Sequence, residues 1–247
     1  MSLNTLIIGA TSAIASSIAA VCAARGERLY LVARNQQKLA ALAASLGSSV
    51  AGTAVGDLAD THKSQALVDA AAACLGTIDS VFIAHGVLGD QQATEQSFAS
   101  AEETFVVNLL SVVSFVIPLA NLLEAQRSGA LVVIGSVAGD RGRPRNYSYG
   151  AAKGGLAIYL QGVRSRLYTT GVRVVTVRLG PVDTPMTVGH EKNLLFANQE
   201  RVAKAIVATR TGGPADAYVP WFWSPIMLAV RNLPEALFQR IRVLSGR

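Results

Sequence analysis

Cysteine is scarce in this chain of 247 residues: Cys22 and Cys74 are the only two, and they form no CxxC spacing. That excludes a disulfide framework and a thiolate zinc site. The three histidines, His62, His85 and His190, are scattered, so no metal site is read from them. Charge is also sparse, at 15% of residues against 51% hydrophobic. This is not the composition of a disordered chain; it suits a parallel sheet buried on both faces by helices. The first residues run straight into an apolar strand, without the charged segment and long apolar run of a signal peptide. The expectation is a reduced, cytoplasmic protein of one domain spanning 1–247.

Acidic residues are few toward the C-terminus. Residues 201–247 hold Arg201, Lys204, Arg210, Arg231, Arg240, Arg242 and Arg247 against Asp216 and Glu235, so +5 of the net +6 lies there. Such a tail suits nucleic acid, an anionic membrane surface or an anionic substrate. No nucleic-acid module accompanies it, so no nucleic-acid partner is expected. Phe105–Leu123 is uncharged over 19 residues, close to a bilayer span. It contains Asn108, Ser111, Ser114, Pro118 and Asn121 and is read as a buried helix instead.

Short apolar runs alternate with helical stretches. Strands are predicted at Thr5–Ile8, Arg28–Ala33, Val50–Val55, Ser80–Ala84, Ala130–Gly135 and Val172–Leu179. Helices are predicted at Ser12–Arg25, Gln36–Leu46, Lys63–Leu75, Ala101–Gln126 and Tyr149–Tyr168. Repeated strand–helix–strand units imply an α/β fold, a Rossmann-type doubly wound parallel sheet with helices on both faces. The rhythm breaks at Ala217–Val230, 14 uncharged residues with both tryptophans, followed by the amphipathic Pro234–Leu244. Residues 217–247 are read as a hydrophobic and basic tail.

The first strand-to-helix turn is Gly9-Ala10-Thr11-Ser12-Ala13-Ile14-Ala15, with small residues at i, i+4 and i+6. A pyrophosphate site needs a tight turn, close backbone approach and free N–H groups at the helix start. Taken alone, the turn serves equally as a structural one, and Ala13 stands where a glycine is usual. After the second strand, an NAD site usually has an acid for the ribose 2′-hydroxyl; here the residues are Ala33 and Arg34. A guanidinium suits a 2′-phosphate, hence NADP(H), while an exposed strand-end arginine is the alternative. Asp57 and Leu58 after the third strand would sit beside the adenine, though Asp57 also suits a helix cap.

Tyr149 and Lys153 are four apart and share one helix face. Tyr147 is a decoy with no lysine at i+4. A tyrosine with a pKa near 10 is a poor acid/base at neutral pH, and a neighbouring ammonium would lower it. Ser136 ends the fifth strand and is placed to hydrogen-bond a substrate oxygen; Asn108 is placed to hold a water on the path from Lys153 to solvent.

The ordered set GATSAIA at 9–15, Asp57-Leu58, AHG at 84–86, Asn108, Ser136, YGAAK at 149–153 and LGPVDT at 179–184 resembles the short-chain dehydrogenase/reductase family over the whole chain. The resemblance implies Tyr149 as acid/base, Lys153 on the nicotinamide ribose, Ser136 on the substrate oxygen and Asn108 in proton relay. It implies cofactor contacts from Gly9, Thr11, Ser12, Ala13, Ile14, Arg34, Asp57, Leu58, His85, Gly86, Tyr149, Lys153, Gly180, Val182 and Thr184. His85 stands where Ala or Asn is usual, and Leu179 where Pro is. The implied activity is NADPH-linked reduction of a ketone or oxidation of a secondary alcohol, in a homodimer or homotetramer. A redox-sensing NADP(H)-binding module without turnover is the competing class.

Within the family the chain is similar to reductases of decaprenylphosphoryl 2-keto-pentose, through Gly86–Asp90, the Arg141/Arg143/Asn146 run and the Trp/Pro-rich end. A keto-sugar or lipid-linked keto-sugar substrate would follow. Trp221, Phe222, Trp223, Ile226, Met227 and Leu228 would then contact lipid, with Arg231, Arg240 and Arg242 on anionic groups. A lid over the substrate cleft or a subunit contact explains the same residues. Met186–Asn198 is expected to form a lid contributing substrate contacts.

Overall fold

The computed structural model describes residues 2–184 and 196–241. Seven parallel strands form one sheet in the order β3-β2-β1-β4-β5-β6-β7. They are β1 Asn4–Ile8, β2 Arg28–Ala33, β3 Val50–Val55, β4 Ser80–Ile83, β5 Ala130–Ile134, β6 Arg173–Leu179 and β7 Asp216–Val219. The first six lie where hydrophobic periodicity predicts them. Ala217–Val219, read in the sequence as the start of a tail, pairs with Val177–Leu179 as the seventh strand.

Residues that alternate along each strand feed two cores. Leu6, Ile8, Val81, Ile83, Leu131 and Val133 face one side. There they meet helix α3 (Ser64–Leu75), α6 (Ser111–Gln126) and α7 (Tyr147–Arg166). Ile7, Phe82, Val132, Val175 and Val177 face the other. They meet α1 (Ala13–Ala23), α2 (Gln36–Leu46) and α8 (Gln199–Ala208). β3, at one edge, alternates half-buried and exposed residues, as a strand with one face in solvent should. A third, smaller cluster joins Val137 to Trp223, Met227 and Val230 of α9 (Trp223–Asn232) and Phe238 of α10 (Glu235–Arg240).

The predicted helix Ala101–Gln126 is three pieces. A short α4 (Gln91–Gln96) precedes α5 (Phe98–Phe105), then a π-helical turn Val106–Leu110, then α6. Phe98–Gln126 is long and apolar enough to cross a membrane. Its inner face is core: Val112, Phe115, Val116, Leu119, Ala120 and Leu123 are at most 1% exposed.

Strand order reverses direction from β1, which pairs with β2 on one side and β4 on the other. Crossovers to either side of that point run over opposite faces, so the chain ends leaving β1 and β4 open a crevice between them. The crevice is where the GATSAIA turn and the AHG stretch meet.

A buried ion pair closes the opposite end of the sheet. Arg210, after α8, places Nη1 and Nη2 at 2.9 and 2.6 Å from the Glu27 carboxylate, which also accepts from Thr5 Oγ1 at 2.7 Å. Removing one partner strands the other charge without water, which costs far more than the pair contributes. Glu27→Ala should therefore destabilise the protein by about 3–5 kcal/mol in urea unfolding. A loss below 1 kcal/mol would mean that Arg210 finds solvent.

Candidate active site

Gly9 leaves β1 with φ of +81°, and a Cβ there would stand 2.8 Å from both Cβ and N of His85. Gly9 N and Ala10 N both donate to the carbonyl of Val32 at the tip of β2, which folds the turn back over the sheet. Ser12 caps α1 by accepting from Ala15 N and donates its hydroxyl to the carbonyl of Ala84. One serine thus ties the β1 and β4 exits together. The N–H groups of Ala13 and Ile14 open the helix, where no intrahelical acceptor exists. Arg34, at the end of β2, is exposed and makes no hydrogen bond or ion pair among the described residues. Asp57 is exposed and accepts from Ala59 N, a turn-capping role, while Leu58 is 7% exposed and lies in the core. Only the backbone of Leu58 faces the crevice side.

His85 points inward. Ser111 Oγ donates to the carbonyl of Val107, so His85 Nε2 is the donor in its 2.8 Å contact with Ser111 Oγ. Burial, with Lys153 nearby, pushes its pKa down to about 3, so the ring stays neutral. The side chain braces the long helix from below.

Asn108 sits in the π turn, a feature hydrophobic periodicity cannot reveal. Ser111 N reaches back five residues to the carbonyl of Val106, and the inserted residue re-aims the side chains around it. Asn108 Oδ1 accepts from Val87 N at 3.1 Å, and Nδ2 donates to the carbonyls of Val87 and Thr104, both at 2.9 Å. The amide clamps the chain just past Gly86. A Cβ on Gly86 would fall 2.8 Å from Asn108 Oδ1 and 3.4 Å from Lys153 Nζ. Asn108, Gly86 and Lys153 therefore converge on one spot.

Ser136 leaves β5 in extended conformation and caps the turn Val137–Asp140 by accepting from Ala138 N. That turn presses on α7 backbone to backbone. A Cβ on Gly139 would meet Gly154 N at 2.7 Å and Lys153 C at 2.8 Å; one on Gly150 would meet the Ala138 carbonyl at 2.7 Å. These contacts bracket Tyr149 and Lys153. Lys153 is 4% exposed, donates to the Ile134 carbonyl at 3.1 Å, and lies 5.9 Å from the Tyr149 ring centre. Burial pushes it down to about 8. Burial raises the Tyr149 phenol above its ordinary value, and a hydrogen bond with Ser136 pulls the other way. The direction for Tyr149 is thus set by desolvation and runs opposite to the lowering expected from Lys153, whose ammonium donates to the Ile134 carbonyl.

Sequence reasoning missed the network that holds this turn. Arg178 of β6 is 6% exposed, grips Asp140 through Nη1, and pairs with Asp216 at 2.7 and 2.9 Å. Tyr218 donates to the other Asp140 oxygen at 2.8 Å. The signal was present: an arginine inside the apolar run VRVVTVRLG requires buried anions. Arg141 donates to the carbonyls of Val230 and Leu233 and to Glu235, and lies 4.0 Å over the Phe238 ring. The C-terminal segment therefore forms one wall of the site. Trp223 and Met227, 6% and 0% exposed, are interior there and unavailable to lipid, whereas Trp221 and Leu228 are 77% and 65% exposed. Gly180 is covered by the Trp223 indole, and Val182 bridges to Ala197 beside Thr184. Of the expected lid Met186–Asn198, all but the last three residues lie outside the described residues, as does Arg242. Ser148, at the start of α7, is held by Gln91 and Thr94 of α4. A cleft of about 520 Å³ opens between Leu88–Gln92 and Pro144–Arg145.

A profile described as short chain dehydrogenase matches residues 4–194. The chain belongs to the short-chain dehydrogenase family. An uncharacterized oxidoreductase of Mycobacterium tuberculosis (strain ATCC 25618 / H37Rv) is 35% identical over 239 residues, 96% of each chain. Another, from Streptomyces coelicolor, is 36% identical over 244 residues, covering 97% of this chain and 96% of that one. A short chain dehydrogenase from Burkholderia cenocepacia J2315, solved in complex with NADP, superposes with a TM-score of 0.84 over 97% of both chains at 19% identity. These likenesses make the chain an oxidoreductase of this family and its fold that of a Rossmann-type dehydrogenase.

Two outcomes follow from the geometry. Gly139→Ala should push the Ser136 turn off α7 and lower kcat by up to about 100-fold, with cofactor affinity held within about twofold; unchanged kcat would show that the turn accommodates a methyl. Lys153 titrates near 8 when folded and near 10.5 when unfolded, so between pH 8 and 10 the unfolded chain binds the extra proton. Wild-type stability relative to Lys153→Met should then rise with pH, by up to about 1.4 kcal/mol per unit. A flat difference in urea midpoints across that window would refute a buried, depressed lysine.

Proposed function

We propose that the protein is an NADPH-dependent reductase of a ketone, with Tyr149 as its acid. The observation that carries this is the cluster at the ends of β4 and β5, where Asn108, Ser136, Tyr149 and Lys153 meet beside the turn Gly9–Ala15. The residues present fit the cofactor. The Gly9 turn and the opening N–H groups of α1 offer a pyrophosphate cradle, together with Thr11, Ser12, Ala13 and Ile14. Arg34, exposed and unengaged among the described residues, replaces the acid that would select a free 2′-hydroxyl. Asp57 and the Leu58 backbone would border the adenine; His85, Gly86, Gly180, Val182 and Thr184 would border the nicotinamide half. The NADP in the Burkholderia structure supports the same choice.

NADPH supplies the hydride when bound. Tyr149 would donate its hydroxyl proton to the oxygen of the ketone being reduced. Burial keeps that phenol protonated at rest, which suits donation and hence reduction. Ser136 hydrogen-bonds the same oxygen. The charge left on Tyr149 is balanced by Lys153, and Asn108, anchored in the π turn, leads the replacement proton in from solvent.

The substrate class favoured is a keto-sugar or lipid-linked keto-sugar, on the sequence likeness and the open cleft at Leu88–Gln92. A homodimer or homotetramer is also proposed: Leu110, Ile117 and Ile158 leave an apolar strip of 48% to 70% exposed side chains on the π turn, α6 and α7.

Tyr149→Phe should abolish NADPH oxidation with every ketone tested yet bind NADPH with wild-type affinity; retained turnover sinks the acid assignment. Arg34→Ala should weaken NADPH by about 10- to 100-fold and leave NADH nearly unchanged. Equal losses for both cofactors would remove the 2′-phosphate argument.

A further inference from the structure

The connection between Ser136 and Tyr149 carries three arginines, and their partners differ. Arg141 is consumed by Glu235 and two carbonyls. Arg145 is exposed at the cleft edge. Arg143 is half-buried, and its Nη2 lies 3.7 Å from Met227 Sδ, a weak acceptor. Its Nε is buried with no acceptor. The neighbouring anion, Asp140, is already engaged on both oxygens by Arg178 and Tyr218.

A second donor in the same cluster is also without a partner. Trp223 is 6% exposed, packs with Met227, and its indole Nε1 is buried with no acceptor. That nitrogen lies against Gly180, in the segment leaving β6. Arg143 and Trp223 thus both reach Met227, and each keeps one buried N–H without an acceptor. Leaving such donors unpaired is costly, most of all for a charged group. A fold that keeps both is arranged for an acceptor that arrives from outside.

We propose that Arg143 and Trp223 Nε1 form a subsite for an anionic oxygen group, phosphate or carboxylate, carried by the substrate. This deepens the reductase reading and rests on it for the word substrate, but the subsite itself does not need turnover. The arginine stands between Ser136 and Tyr149 in sequence and directly precedes Pro144 and Arg145, which line the cleft. Burial lowers the Arg143 guanidinium somewhat below its ordinary range, and an arriving anion would reverse that. Guanidinium forks bind such groups through paired hydrogen bonds, which a lysine cannot copy.

The test uses intrinsic fluorescence. Trp221 and Trp223 are the only two tryptophans, so Trp221→Phe leaves Trp223 as sole reporter in the full-length protein. Titration with inorganic phosphate, and separately with acetate, should give a saturable change in Trp223 emission. In the Trp221→Phe background, Arg143→Gln should weaken it about 10- to 100-fold, and Arg143→Lys should fall between. The arm that saturates at lower concentration distinguishes phosphate from carboxylate. No saturable change with either anion, or the same affinity in Arg143→Gln, overturns the proposal. Near-ultraviolet circular dichroism of each variant guards against misfolding; should Arg143→Gln misfold, the Arg143→Lys titration decides alone. Once a ketone is turned over, Arg143→Gln should raise KM for anionic ketones and spare their neutral analogues. Phosphate binding without any turnover would fault the reductase reading and leave the subsite standing.

Discussion

Where the turn Val137–Asp140 meets α7, two stretches of backbone touch with no side chain between them. Gly139 lies on Gly154, and Ala138 on Gly150. The distance from Ser136 to Tyr149 is therefore set by main-chain packing, which is stiffer than any side-chain contact. Everything else in the site is arranged to keep this contact closed. Arg178 and Tyr218 hold Asp140 from the sheet side, and Val137 is pinned beneath the C-terminal helices. Lys153 is drawn toward the end of β5 by the Ile134 carbonyl.

Desolvation does two opposed things here. It lowers Lys153 to about 8 and raises Tyr149, which places an uncharged phenol near an ammonium that sheds its proton easily. Burial thus favours the uncharged form of both groups. The neutral His85 beneath adds no competing cation.

The βα alternation was legible because each strand is an apolar run and each helix carries a regular apolar face. Tyr149 and Lys153 were legible because i and i+4 share a helix face whatever the fold. The π turn was not: one inserted backbone residue leaves no periodic trace over five positions, and its effect, the aim of Asn108, depends on Val87 across space. β7 was hidden because four residues, Asp216–Val219, run directly into Pro220 and the aromatic stretch. Arg178 was visible as a charge in an apolar strand, but its partners at 140 and 216 are 38 residues away on either side. The unsatisfied Nε of Arg143 has no sequence signature, since the arginines at 141, 143 and 145 look alike until their partners are known.

The grip of the C-terminal helices on Arg141 spans 89 to 94 residues of chain. Loop closure over that distance comes late, after the local strand–helix units have formed. The wall beside Ser136 thus rests on contacts 89 to 94 residues apart in the chain. A change in the C-terminal helices would therefore be felt at Ser136, through Arg141 and through Val137.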